Sequence, residues 1–443
     1  MVTKMPSSIR VRRMSAVLTA PDAAAYDPLP LSPFDALWVP LPPPLNLYFF
    51  KLIPPATPPF PALVESLAEA LASFHPFAGE LTYHAASNSV FIETSAAAGV
   101  AFVEAETELD FRGLVEAEEL DEEALRQLVP DIAREALPAP AMGVQVTEFL
   151  DGGGLALGLA LHHAVAGFTS WTRGGSRSAA TTVPDRSLVR FDGDKEFGAA
   201  ILRQMAPNLP RLVAAPKQQD SAATDEHKRP AAVPVTRQTF TISAAAVKRL
   251  KRQLAVANGG AAPSTFAAVT AHTWVSFSRA GGFDANEPIV MGFVADIRAH
   301  MSPPVDRAYT GNCLAFCVVS LRASELDEYG LDRAAAAIRS AVERVKASPL
   351  EDKEQWVPRF AAFKPGRSLV VSGSPWFPSF DMDLGFGTPV RAERAGLPRD
   401  GQAYITAGKE PGSVLVMLSL AAEKMPAFRE AFLIDGVGVF SGA

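Results

Sequence analysis

Segments of period two alternate along the chain with segments of period 3.6. Residues 45–53 (LNLYFFKLI) are rich in aromatic and branched side chains and stop at Pro54-Pro55, which predicts a strand. Beyond that prolyl turn, Leu63, Leu67, Leu71 and Phe74 recur at helical spacing and predict an amphipathic helix ending before Pro76. A second helix is expected over residues 116–137, whose acidic opening suits the positive end of a helix dipole. Residues 144–150, the turn Asp151-Gly152-Gly153-Gly154 and residues 155–163 read as a hairpin, with glycines to supply the positive φ of a tight reversal. On its second strand Leu155, Leu157, Leu159, Leu161 and His163 share one face, and Ala156, Gly158, Ala160 and His162 the other. His163 is therefore expected to face the interior, and the small-residue face to receive helices.

From about residue 207 to 235 the period is lost among prolines and small polar residues, the character of a linker or crossover loop. Val247, Leu250 and Leu254 then form a helical stripe starting at Ser243 and stopped by Asn258-Gly259-Gly260. Another helix follows Pro263-Ser264-Thr265, residues 289–294 and 414–420 read as strands, and Asp332 is expected to cap a helix through Ile338, Val342 and Val345. The economical organisation is two α/β halves, residues 1–206 and 237–443, joined by a crossover loop over 207–236.

Composition narrows the classes. A chain of 443 residues, 48% hydrophobic and 20% charged, has material for about two or three domains and excludes disorder for most of its length. With 41 Lys plus Arg against 48 Asp plus Glu the net charge is −7, so no basic footprint points to nucleic acid or an anionic membrane. No run approaches the roughly 18 apolar residues of a membrane helix, and the N-terminal segment lacks the apolar stretch of a secretory signal. Cys313 and Cys317 lie four apart in a strand-like run (GNCLAFCVVS), which separates their Cα atoms by about 13 Å, too far for a disulfide. A reducing compartment follows. The expectation is a cytoplasmic monomer with no nucleic-acid or membrane partner.

Seven histidines are available: His75, His84, His162, His163, His227, His272 and His300. The spacings of HExxH, CxxC, GxxxxGK[ST] and GxGxxG are all absent, so no metal or nucleotide cofactor is expected. Ser372-Gly373-Ser374-Pro375 lacks the flanking glycines of a nucleophile elbow. His162-His163, at the end of a buried strand beside small residues, is placed to accept a proton from a substrate hydroxyl near neutral pH. A core histidine satisfied by backbone is the competing reading.

Several motifs then resemble one family. LHHAVAGFTSW, from Leu161 to Trp171, resembles the HHAVADGFSTW segment of plant BAHD acyltransferases, whose HxxxD motif supplies the catalytic histidine. FDMDLGFGTP, from Phe380 to Pro389, is similar to that family's DFGWG region, with Asp383, Gly385 and Gly387 kept. Tyr309-Thr-Gly-Asn-Cys313, STFAAVTAHTW from Ser264 and HPFAGEL from His75 resemble further segments, in the family's order. The resemblance implies an α/β fold of two chloramphenicol-acetyltransferase-like domains, with mixed sheets flanked by helices and an active-site channel at their interface. It implies acyl-CoA as co-substrate, a small hydroxylated acceptor and no resident cofactor. His163 is then the general base of a direct transfer without a covalent enzyme intermediate. SGSPWF and GNCLAFCVV look most like the branch acylating anthocyanins and phenolic glucosides, often with malonyl-CoA.

The chain departs from the pattern beside that histidine. Gly167 stands where the family has the aspartate of HxxxD, and one residue is missing rather than exchanged. In the family that aspartate pairs with an arginine of the second domain, best matched by Arg298, which is expected here to lose its partner. Breaking a buried pair costs about 3 to 5 kcal/mol. Thr172 to Pro184 (TRGGSRSAATTVP) carries no apolar stripe where relatives continue into a helix. Two readings follow: an active O-acyltransferase in which His163 still reaches the channel, and a catalytically impaired or truncated member that only binds ligand. Asp383, Gly385 and Gly387 are read as a structural turn, since their glycines imply close backbone approach. Lys248, Arg249, Lys251 and Arg252 are read as a solvated helix face, with CoA phosphates as their functional alternative, and His272 as a packed side chain.

Overall fold

The period-two segments assemble into two large mixed sheets. The computed structural model describes residues 8–18, 26–52, 60–94, 99–133, 135–165, 183–212, 233–257, 259–327, 329–396, 398–433 and 439–440. The first sheet has six strands in the order Ile9–Val17, Val100–Thr107, Met142–Phe149, Gly154–Leu161, Leu45–Lys51 and Arg391–Ala395. The second runs Leu314–Arg322, Pro288–Asp296, Ser368–Gly373, Gln402–Ala407, Val414–Ala421, Val235–Ile242 and Val439–Phe440. A small four-stranded sheet carries Glu80–His84 and Ser89–Glu93 at its centre. Arg391–Ala395 comes from the second half of the sequence yet pairs with Leu45–Lys51 of the first, Arg394 opposite Asn46. The two sheets therefore do not divide at one point in the sequence. No helix among the described residues is long and apolar enough to cross a membrane.

Alternation along the strands divides the apolar residues between layers. Leu155, Leu157, Leu159 and Leu161 enter the largest core, with Tyr48 and Phe50, while Leu47, Phe49 and Ala156 pack behind the sheet against Leu125 and Leu128. The small-residue face does receive a helix and its C-terminal continuation: a Cβ at Gly158 would lie 2.3 Å from the Leu128 carbonyl oxygen. In the hairpin turn Gly152 has φ of 77°, whereas a Cβ on Gly153 would meet the Phe111 side chain at 2.6 Å.

Two expected elements differ. The helix expected over 116–137 is instead two short ones, Phe111–Glu116 and Glu122–Gln127, followed by irregular chain. Asp121 caps the second, its Oδ1 accepting from the backbone N–H groups of Glu123 and Ala124, and Pro130 cannot donate to a continued helix. Asp332 does not cap its helix, Gly330–Ala347, but lies in its first turn, where a carboxylate suits the dipole. Helices Phe60–Ser73 and Ala244–Ala257 follow the predicted stripes, and Thr265–Gly281 lies where a helix was expected, buried all round from Ala267 to Ser278. Residues 213–232 of the crossover loop lie outside the described residues.

Candidate active site

The strand Gly154–Leu161 ends where a turn begins. The His162 backbone N–H donates to the Ala141 carbonyl at 2.8 Å and its carbonyl accepts from Val165 N–H at 3.0 Å. The imidazole of His162 folds back, Nδ1 accepting from Ala164 N–H at 3.2 Å, and the residue is 1% exposed. Burial pushes its pKa down to about 4. His162 thus shapes the turn, and His163 is delivered to the wall of a cavity of about 3000 Å³. A drug-sized ligand needs roughly 300 to 1,000 Å³, so this cavity has room for more than one substrate. Its walls come from both halves: Trp38, the Pro42-Pro43-Pro44 run and His163 from the first, and Phe293, Asn312, Phe377 and Tyr404 from the second.

The His163 ring lies 5.2 Å from the Trp38 ring, tilted by 35°, and no described residue hydrogen-bonds it. Its pKa is pushed down to about 3, first by burial and then by the neighbouring positive charges of Arg394 and of a protonated His162. At neutral pH it is a free base.

What holds the turn is a buried polar network that crosses the molecule. Asn312 Nδ2 donates to the His163 carbonyl at 2.9 Å and to Asp35 Oδ1 at 2.8 Å, and the Asn312 backbone N–H donates to the same oxygen at 2.9 Å. Asp35 Oδ2 accepts from Ser32 N–H at 3.0 Å, Ser32 Oγ at 2.7 Å and Arg186 Nε at 3.1 Å. Arg186 in turn donates through Nη2 to the Val165 carbonyl and through Nη1 to the Pro184 carbonyl at 2.9 Å. The Asp35 and Arg186 side chains are 0% and 1% exposed. Residues 163 and 165 are thereby gripped from both halves, by Asn312 and by the Asp35–Arg186 pair.

Arg298 is not left without a carboxylate. Its Nη1 pairs with Asp296 Oδ2 at 2.8 Å and its Nη2 donates to the Gly311 carbonyl at 2.8 Å, although its buried Nε has no partner among the described residues. The Arg186 and Arg298 guanidinium carbons lie 5.7 and 5.8 Å from the centre of the Tyr309 ring. Gly167, and the segment expected to lack a helix as far as residue 182, lie outside the described residues. Asp383 forms a turn away from the cavity wall: its Oδ1 accepts from Gly385 N–H at 2.8 Å and Gly387 N–H at 3.2 Å, with φ of 90° and 107° at the glycines. His272 donates from Nε2–H to the Phe432 carbonyl at 2.9 Å and packs on that ring. Cys313 and Cys317 are free and buried. Lys248, Arg249 and Arg252 are exposed on their helix.

The sequence matches one family and the fold agrees with it. The family model described as the Transferase family, that of the BAHD acyltransferases, matches residues 9–434. The chain belongs to this family. It is similar to hydroxycinnamoyltransferase 2 of Oryza sativa subsp. japonica, 31% identical over 82% of this chain and 85% of that one. It is also similar to phenolic glucoside malonyltransferase 1 of Arabidopsis thaliana, 26% identical over 95% of this chain and 96% of the relative. In fold it resembles vinorine synthase, with a TM-score of 0.69 and 18% identity over 98% of this chain and all of the other. The two α/β units are those of the BAHD fold, and the protein is an acyltransferase of the class that transfers groups other than amino-acyl groups.

For this BAHD chain the sequence reading reached His163 and the Asp383 turn but not Asp35, Trp38, Arg186 or Arg394. Asn312 lay inside the Tyr309–Cys313 segment without a role. One local signal existed, the Ser32-x-x-Asp35 spacing of a side-chain-closed turn. Nothing local joins Asp35 to Arg186 or Asn312, which are 151 and 277 residues away.

Proposed function

We propose that the protein moves an acyl group, malonyl or hydroxycinnamoyl, from CoA to a hydroxyl of a plant phenolic or flavonoid glucoside, with His163 as general base. The observation that carries this reading is a neutral imidazole in the wall of a cavity large enough for two substrates. A ring nitrogen of His163 takes the proton as the acceptor oxygen attacks the thioester carbonyl. The tetrahedral intermediate then collapses, the carbon–sulfur bond breaks, and the imidazolium returns the proton to the departing CoA thiolate. Acyl-CoA is a co-substrate in this scheme, and the enzyme needs no resident group. Positioning of the two substrates supplies the rest of the acceleration. Against the reading of an impaired member stands the Asp35 network, which tethers the His163 turn without the motif aspartate.

The test is release of CoA thiol with a panel of acyl-CoAs and glycosylated phenolics. His163→Ala is expected to lower kcat by about 10² to 10⁴ with little change in the unfolding midpoint. Wild-type turnover that survives His163→Ala overturns the assignment.

A further inference from the structure

Four buried arginines of this chain each have a carboxylate partner. Arg186 pairs with Asp35 at 3.1 Å, Arg237 with Glu122 at 3.2 Å, Arg298 with Asp296 at 2.8 Å and Arg391 with Glu393 at 2.8 Å. Arg394 breaks the pattern. It lines the same cavity as His163, its Nη1 donates to Asn46 Oδ1 at 2.7 Å, and its guanidinium carbon lies 4.8 Å from the centre of the Tyr404 ring. Among the described residues no carboxylate pairs with it, and the nearby charge of Arg237 repels it. Asn46, 3% exposed and outside the cavity lining, holds the guanidinium from behind and leaves its remaining N–H groups to the cavity. A low-dielectric site tolerates a guanidinium when an anion completes it, and a planar fork of N–H groups matches a carboxylate best.

We propose that Arg394 receives a carboxylate carried by one of the two substrates. The site thereby selects acidic acyl donors or acidic acceptors over neutral ones. This rests on the reading of the cavity as the acyl-transfer site.

The experiment is equilibrium binding by calorimetry to the full chain, so that it does not depend on turnover. The donor arm compares malonyl-CoA with acetyl-CoA, and the acceptor arm compares 5-hydroxyanthranilate with 4-aminophenol, which lacks the carboxylate. One carboxylated probe is expected to bind about 10- to 100-fold more tightly than its neutral counterpart, and the arm that shows it names the source. Arg394→Met is expected to erase that margin, Arg394→Lys to keep part of it, and His163→Ala to leave it intact. The unfolding midpoint of unliganded Arg394→Met is expected to fall by only a few degrees, because what is lost is a hydrogen bond to Asn46 and not an ion pair. Equal binding within both pairs, a margin that survives Arg394→Met, or a fall of many degrees in its midpoint overturns the proposal. Failure of His163 as base would show in turnover alone, with the binding margin still present.

Discussion

Replacing Asp35 tests whether the buried network holds the proposed base in place. Its carboxylate accepts from Ser32 N–H and Oγ, from Arg186 Nε, and from Asn312 N–H and Nδ2. Asp35→Ala strands a guanidinium that is 1% exposed, and removing one member of such a pair costs about 3 to 5 kcal/mol. A folded protein of typical stability has only about 5 to 15 kcal/mol to lose. At roughly 2 to 4 °C per kcal/mol for a unit of 150 to 250 residues, the midpoint should fall by at least about 5 °C. Asp35→Asn keeps the shape but turns an NH₂ toward one of two groups of donors, so it should cost less than the alanine while still losing the charge. The network reaches the His163 and Val165 carbonyls through Asn312 and Arg186, so kcat should fall tenfold or more at temperatures where the variant is folded. KM for acyl-CoA should change little. In a double-mutant cycle with Arg186→Met, the pair should be less destabilised than the sum of the singles by about 2 kcal/mol, because both halves of the buried charge leave together. An Asp35→Ala protein within about 2 °C of wild type would refute the energetic argument. One that loses stability but keeps its kcat would refute the positioning argument.

Three other changes have defined outcomes. Protonation of His163 should not limit kcat/KM near pH 6.5, because its pKa lies near 3; an acid limb centred at 6.5 in initial rates would contradict this. Stability should nevertheless fall below pH 6.5: the unfolded chain takes up protons at His162 and His163 that the folded chain refuses until about pH 4 and 3. Each histidine contributes about 1.4 kcal/mol per pH unit, and Glu122, pushed up to about 7 by burial, offsets one of them. A net loss of about 2 kcal/mol between pH 6.5 and 5 is expected in denaturant titrations. Inserting Asp after Ala166 should raise kcat less than twofold, since Arg298 already holds Asp296 and Gly311; a tenfold gain would show that the tether was incomplete. Gly158→Ala should destabilise by about 1 to 3 kcal/mol, as its Cβ would meet the backbone at Leu128 and Val129, and an unchanged midpoint would refute that packing.

Periodicity made the elements legible where the residues that decide them are neighbours. The leucines at 155, 157, 159 and 161 reach one core, and Ser264 caps its helix by accepting from the Ala267 N–H. The stretch from 116 to 137 misled because its acidic composition suits a helix while Asp121 and Pro130 start and stop shorter pieces. Arg298 illustrates another limit: its carboxylate was two residues away at Asp296, but the family pattern directed attention to a distant aspartate. Arg394 was invisible for a topological reason. Only the docking of Arg391–Ala395 onto the first sheet brings it opposite Asn46 and within the electrostatic reach of His163.

Two polar systems therefore act on His163 in different ways. The Asp35 system is complete: its carboxylate is saturated with donors, its charge is balanced by Arg186, and its role is to fix the backbone at residues 163 and 165. The Arg394 system is open, since its positive charge has no counter-ion among the described residues and depresses the basicity of the same imidazole. Geometry is thus set in the free protein, whereas electrostatics is left for the substrate to finish. Because an ion pair gains most where water is excluded, an acidic substrate that fills the cavity seats itself against Arg394, and a neutral substrate of the same shape forgoes that pairing. Discrimination between them should then appear in binding.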